Sequence, residues 1–246
     1  MIYDQWRWMA DGRYSADENM RVDAALLADC GQGRIPPTVR LYGWSEPSIT
    51  IGYSQNAEAE LNLQLCRDLG VPVVRRPTGG RALLHGNELT YAVVAPVSIA
   101  PFNQGLKATF AAISEALLAG LQELGIHGEV NVSKQQLGAA RTPACFASLN
   151  HCEITVDGKK LIGSAQKRTS QAFLQHGSVI IDSDHDLFAT LLSFKDESQR
   201  EVTRNRLAQS TTTLNEVCAR RISFEEVRDA LQEGFQKTLG DVCLKI

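Results

Sequence analysis

The chain has no long apolar run. Its opening segment, MIYDQWRWMADGRYS, is interrupted by two arginines, two aspartates and two tryptophans, so it lacks the apolar core of a signal peptide. The longest apolar stretches, such as Ala92–Pro96, are too short to span a bilayer. The expectation is a cytoplasmic chain with no membrane partner. Excess charge of one sign is missing too: 25 Lys and Arg stand against 28 Asp and Glu, for a net charge of -3. A domain-wide basic field for nucleic acid is therefore excluded. The six cysteines (Cys30, Cys66, Cys145, Cys152, Cys218, Cys243) are scattered, without a CxxC or paired Cys/His spacing. That argues against a structural zinc site, and no metal is expected. Most of the thiols read as free packing residues.

What is present suits one globular domain. The 246 residues are 43% hydrophobic and 22% charged, ordinary values for a soluble fold. Ser15 and Glu18 stand three apart, as in a capping box, before a helical pattern running to Gly31. Thr38–Tyr42 and Ser48–Tyr53 alternate as strands around a Gly43–Pro47 turn, a plausible hairpin. Asn56–Leu69 reads as one helix ended by Gly70. Val71–Arg76 and Leu89–Val97 read as strands of a second hairpin about a glycine-rich bend. Phe102–Leu124 is the longest helical pattern, with Leu106, Phe110, Ile113, Leu117 and Leu121 on one stripe. Residues 132–150 are polar and irregular. Asp157-Gly158 is a strong hairpin signal, His176–Asp182 another strand, and helices follow from Asp184, with a short strand-like tail. The expected fold is α+β: a mixed, largely antiparallel sheet with flanking helices, not a doubly wound parallel one. With no repeat and no long linker, residues 1–246 are expected to form one domain, its core at about 30–183 and a helical part at 184–246.

Three segments carry candidate chemistry. In Arg75-Arg-Pro-Thr-Gly-Gly-Arg-Ala-Leu-Leu-His85, adjacent glycines let backbone pass close to a ligand, and the arginines favour an anion. Gly-Gly bends are, however, often ordinary turns. In Pro143-Ala-Cys-Phe146 a lone cysteine is by default a small buried hydrophobe, but a polar, proline-bearing loop is where functional residues concentrate. In Gly158-Lys-Lys-Leu-Ile-Gly-Ser-Ala, turn lysines are usually solvated. Alternation nevertheless sends Lys159 and Lys160 to opposite faces, so one can point inward.

Together, in this order, these segments and Trp44-x-x-Pro-Ser-Ile-Thr-Ile-Gly-Tyr-Ser-Gln55 resemble the lipoate/octanoate protein ligase and transferase family, relatives of biotin-protein ligase. The resemblance runs from about Trp44 to Asp182 and implies a class II synthetase-like sheet. Ala-Cys-Phe and Gly-Gly-Arg-Ala-Leu-Leu-His-Gly-Asn-Glu-Leu-Thr-Tyr look most like the LipM-type octanoyltransferases within it. The resemblance implies octanoyl-acyl carrier protein as donor and a lysine of a lipoyl domain, such as glycine cleavage H protein, as acceptor, with no cofactor. It implies Cys145 as the acylated nucleophile and Lys160 as the partner that lowers its pKa. By the same resemblance Arg76, Thr78, Gly79, Gly80, His85, Gly163, Ser164, His176 and Gly177 bind substrate. Burying six or seven methylenes would contribute roughly 5 kcal/mol, with Gly52, Gly79 and Gly80 expected to keep an acyl slot open. Cys152 is the rival to Cys145, and His151 adjoins the same loop.

Three other functions compete. An ATP-dependent lipoate-protein ligase would face phosphates with the same bend, but it needs no Cys145, and Arg81 stands where such ligases usually carry a third glycine. An amidotransferase taking octanoate from H protein is less similar across Gly-Gly-Arg-Ala-Leu-Leu-His. A non-catalytic lipoyl-domain binding protein would not need to keep Cys145 and Lys160.

Overall fold

The computed structural model describes residues 5–131 and 153–240. Cys145, His151, Cys152 and the 241–246 tail lie outside them. The first element is one the sequence pattern did not announce: a strand, β1 (Arg7–Tyr14), mostly exposed and laid along a sheet edge. Helix α1 (Ala16–Gly31) follows. Ser15 caps it by accepting from the Glu18 N–H at 3.3 Å, but the Glu18 carboxylate pairs with Arg21 at 2.6 Å. Only half of the expected capping box forms.

β2 (Thr38–Trp44) and β3 (Ser48–Ile51) do not make the expected hairpin. Past Glu46-Pro47 the chain leaves the large sheet, and β3 becomes the centre of a separate three-stranded one. There it pairs parallel with β4 (Val73–Arg75) and antiparallel with β5 (Leu83–His85). The run expected as a helix over 56–69 is two short ones, α2 (Ala57–Glu60) and α3 (Leu63–Asp68). The break comes at Leu61, whose backbone bridges Leu192, while Asn62 caps the second helix by accepting from the Leu65 N–H at 3.1 Å.

β4 and β6 (Glu88–Pro96) are not hairpin partners either, because β5 intervenes and β6 joins the large sheet. Helix α4 (Leu106–Glu123) comes after a short 3-10 turn at Phe102–Gln104. Ile113, Leu117 and Leu121 enter the core, but Leu106 is 52% exposed. Strand β7 (Glu129–Val130) precedes β8 (Ile154–Val156), β9 (Lys159–Arg168) and β10 (Ala172–Ile180). Asp157 and Gly158 both have positive φ, 50° and 75°, the tight hairpin turn that Asp-Gly favours. Helices α5 (His185–Leu191), α6 (Glu197–Ser210), α7 (Leu214–Val217) and α8 (Phe224–Leu239) complete the described chain.

The large sheet has the order β1-β2-β6-β10-β9-β8-β7. Only β1 and β2 run parallel in it; the other pairs are antiparallel. It is therefore the mixed, largely antiparallel sheet expected. Every residue of β6 and β10 is buried, because both faces are covered. On one face Leu41, Tyr91, Val93, Ile162 and Val179 pack against α4 and α8 in the main core. On the other, Tyr42, Trp44, Ala92 and Leu174 pack under α1. The three-stranded sheet builds a third cluster with α5 and α6 through Ile49, Leu61, Phe188 and Leu207. Among the described residues, no helix is long and apolar enough to cross a membrane.

Helices α4 and α8 touch backbone to backbone. A Cβ at Gly234 would overlap the Gly120 nitrogen and stand 2.6 Å from the Ala116 carbonyl oxygen. Gly234→Ala should force the helices apart and cost about 1–3 kcal/mol, as overpacking does. A urea midpoint matching the unmodified chain would contradict this packing.

Candidate active site

Register sets the floor of the site. Gly163 of β9 pairs with Ser178 of β10, Ser178 with Thr90 of β6, and Thr90 with Tyr42 of β2. Directly opposed residues share a face, so these four form one rung across the sheet, and all four line a narrow slot. The neighbouring rung, Arg40, Ala92, His176 and Ala165, adds His176 and Ala165 to its wall. Met20 of α1 and Thr50, Arg76, Leu83 and His85 close the slot from above. Trp44, Leu83, His85 and Ser178 also line a wider cleft of about 1030 Å³, bounded further out by α5 and α6.

Six of the residues predicted to bind substrate therefore meet: Arg76, His85, Gly163, Ser164, His176 and Gly177 all line the slot. The Ser164 hydroxyl is turned to the Tyr91 hydroxyl at 2.6 Å. Gly177 has to be glycine, since a Cβ there would lie 2.5 Å from the Gly163 carbonyl oxygen and 2.7 Å from the Tyr91 ring. Thr78, Gly79 and Gly80 are not among the lining residues; they form the bend that holds it.

Two histidines are held in the same way. His176 Nδ1 meets Asp23 Oδ2 at 2.8 Å and its Nε2 meets Thr78 Oγ1 at 2.7 Å. His85 Nδ1 meets the Glu88 carboxylate and its Nε2 meets Thr50 Oγ1 at 2.7 Å. With a carboxylate at Nδ1 the proton of a neutral ring belongs there, leaving Nε2 to accept from threonine. Burial pushes the His85 imidazole below its ordinary pKa, against the pull of Glu88. Trp44 stacks on His85, with centroids 3.8 Å apart and planes 18° from parallel.

Arg76 serves the bend. Its guanidinium donates to the Gly79 carbonyl from Nε and Nη2, to the Arg81 carbonyl from Nη2, and to the Thr50 carbonyl and hydroxyl from Nη1, at 2.7–3.2 Å. Arg75 donates to the carbonyls of Gly52, Tyr53 and Gln55. Gly80 has φ +100°, and a Cβ at Gly52 would overlap its carbonyl. Gly52 and Gly80 thus bring backbone against backbone; they do not leave the slot open, as the sequence suggested.

Lys160 is wholly buried, whereas Lys159 is exposed. The pairing explains which lysine turns in. Ile154 pairs with Ile162, but Thr155 pairs with Lys160, so β9 carries one extra residue here. That bulge moves Lys160 off the Ile162 face and onto the face of Gly163 and His176. There it meets the Glu153 carboxylate, and its carbonyl accepts from the Thr212 N–H at 3.0 Å. Thr211, beside it, lines the wider cleft.

Asp23, Glu88, Glu153, Arg40, Tyr42 and Met20 were not singled out from the sequence. Asp23 is fully buried and takes Arg40 Nη1, the Tyr42 hydroxyl and His176 Nδ1, each within 2.9 Å. Asn19 and Asp23 both fall on the buried stripe of α1 among Met20, Leu26, Leu27 and Cys30, and two polar residues on that stripe were the available signal. Burial raises the thiol of Cys30 to about 12 and also lifts Cys66 and Cys218, which suits packing cysteines. Among the described residues, no group of three or more His, Cys, Asp and Glu could hold a metal ion.

The family model described as the lipoyl protein ligase A/B catalytic domain matches residues 15–236. The chain belongs to that family. An octanoyltransferase LipM of Kyrpidia tusciae is 38% identical over 96% of this chain and 87% of its own. One of Geobacillus kaustophilus is 36% identical over 98% and 89%. The fold resembles the lipoate protein ligase of a bipartite system from Thermoplasma acidophilum, with a TM-score of 0.73 at 23% identity over 96% of this chain and 84% of that one. It also resembles a lipoate-protein ligase A bound with ATP, with a TM-score of 0.72 at 23% identity over 96% and 85%. At that identity the likeness establishes the fold of this family member.

The state of His85 makes stability depend on pH. Its folded pKa is depressed, so the unfolded chain takes up a proton first as pH falls. The contribution is whole above about pH 6.5 and is lost as pH drops toward the folded value. The urea midpoint should fall across that range more steeply for the unmodified chain than for His85→Gln. Parallel curves would remove His85 from this role.

Proposed function

We propose that this member of the lipoyl ligase A/B family, an acyltransferase, moves octanoyl from octanoyl-acyl carrier protein to a lysine of a lipoyl domain, glycine cleavage H protein first among them, through a thioester on Cys145. The observation that carries the reading is Lys160, a lysine wholly buried beside Glu153 and turned by a bulge onto the face of the slot. A lysine buried against a carboxylate is little rewarded in stability, which marks the pair as a functional candidate. Favouring the thiolate of Cys145 is a role that such a lysine would serve. The curated relatives named octanoyltransferase LipM, at 36–38% identity, support the acyl group chosen.

In the first step the Cys145 thiolate adds to the donor's thioester carbonyl, the C–S bond to the carrier breaks, and the carrier leaves as a thiolate that takes a proton from Lys160. The exchange is between like bonds, so nucleophile quality matters more than driving force. In the second, the acceptor amine adds to the same carbonyl, an amide forms and the bond to Cys145 breaks. The amine's surplus proton reaches the departing sulfur by way of Lys160, which gives one proton and takes another. Amide formation from a thioester is downhill, so ATP is not required. The acyl chain is placed along the slot over Gly163, Ser178 and Thr90, whose free volume of about 40 Å³ has to widen to take it, and the wider cleft beside Thr211 admits carrier and acceptor.

Mixing the chain with octanoyl-acyl carrier protein should add one octanoyl mass, and Cys145→Ala should abolish it. No adduct, or one mapped to Cys152, would overturn the thioester. Labelling of a lipoyl domain from free octanoate and ATP that survives Cys145→Ser would favour a ligase instead.

A further inference from the structure

The rung beneath the slot changes size along its length. Gly163, Ser178 and Thr90 are small, and the fourth member, Tyr42, is large. From Gly163 to Tyr42 the rung crosses three strand spacings, about 14 Å. Tyr42 is immobilised. Its hydroxyl donates to Asp23 at 2.9 Å, the Arg40 guanidinium lies 3.9 Å from its ring centroid, and Trp44 packs beside it at 6.0 Å. Moving that ring would break its hydrogen bond to the buried Asp23 carboxylate and its contact with the Arg40 guanidinium, so the end of the trough is rigid.

Met20 is the adaptable side chain at this end of the wall. It comes down from α1 at the same end, is 5% exposed, and packs in one cluster with Tyr42 and Trp44. Unlike them it makes no hydrogen bond through its side chain, and a thioether with three rotatable bonds adapts to what lies against it.

We propose that Met20, backed by the fixed ring of Tyr42, gauges the length of the acyl chain. This rests on the reading of the slot as the acyl site. A chain that enters over Gly163 runs along the small residues until its terminal methyl meets Met20. Each methylene too many must then be accommodated at an end where Tyr42 and Trp44 are held by hydrogen bonds and, of the three, only Met20 yields, and each one too few leaves apolar space unfilled. The sheet thus supplies the ruler, and α1 sets its end mark.

The test uses the full chain with acyl carrier protein charged with six-, eight-, ten- or twelve-carbon chains, reading adduct formation by intact mass and transfer as kcat/KM. For Met20→Ala the ten-to-eight-carbon ratio should rise about tenfold. For Met20→Phe the six-to-eight-carbon ratio should rise by about as much. Met20→Leu, close in volume, should keep the original profile and guards against a general loss of folding in the Ala variant. Length profiles that superimpose for the unmodified, Ala and Phe chains, with the eight-carbon adduct still forming, would overturn the gauge and leave the thioester standing. No eight-carbon adduct on the unmodified chain would overturn the thioester reading, and the gauge with it.

Discussion

A carboxylate cannot be buried without partners, and Asp23 is fully buried. It meets that requirement by drawing on Arg40 and Tyr42 of β2 and His176 of β10. One side chain therefore pins α1 to two strands that are not neighbours in the sheet. Much of the site depends on this. The angle of α1 decides where Met20 comes down, the Asp23 bond fixes the Tyr42 ring, and His176 in turn holds Thr78 and with it the bend. Asn19, one turn earlier, adds bonds to the Gly43 carbonyl and to Arg40, so the helix start is held by polar contacts as well as by packing.

The second buried carboxylate works on the opposite edge of the slot. Glu88 holds His85 and accepts from the Ser178 hydroxyl at 2.9 Å and the Gly86 N–H at 3.0 Å. His85 holds Thr50, and Thr50 accepts from Arg76. The two carboxylate–histidine–threonine chains grip the Arg76–Gly80 bend from two different sheets. A pocket walled in this way has its polar side chains held in place before any ligand enters, so little of their freedom remains to be lost. The carboxylates Asp23 and Glu88 stand behind the lining histidines, and the glycine, serine and threonine of the rung leave the space in front.

Local signals were read correctly where the physics is local. Asp157-Gly158 turns as its dihedral preferences require, Ser15 caps α1, and the run after Asp184 is helical. The hairpins about Gly43–Pro47 and the glycine-rich bend were not, although their turn residues were recognised. A turn signal says that the chain reverses; it carries no information on which sheet accepts the next strand. The helix over 56–69 failed for a similar reason, since Leu61 is held by Leu192, a partner no local window contains. Arg76, His85, Gly163, Ser164, His176 and Gly177 were legible as a site through their motifs. Asp23 was not, because its bond to His176 spans 153 positions and its own segment has the pattern of an ordinary amphipathic helix.

The sequence alone therefore determined the class of fold, the segments that bear the chemistry and the family they resemble. Those follow from side-chain periodicity, turn chemistry and motif order, all of which are properties of neighbouring residues. Only the tertiary structure decided that Lys160 and not Lys159 turns inward, that Gly163, Ser178, Thr90 and Tyr42 stand on one rung, and that Met20 closes its end. These are matters of strand register, and of where a helix packs on the sheet. One inserted residue in β9 moves a lysine to the other face of the sheet, and alternation cannot reveal an insertion that is defined only by the partner strand.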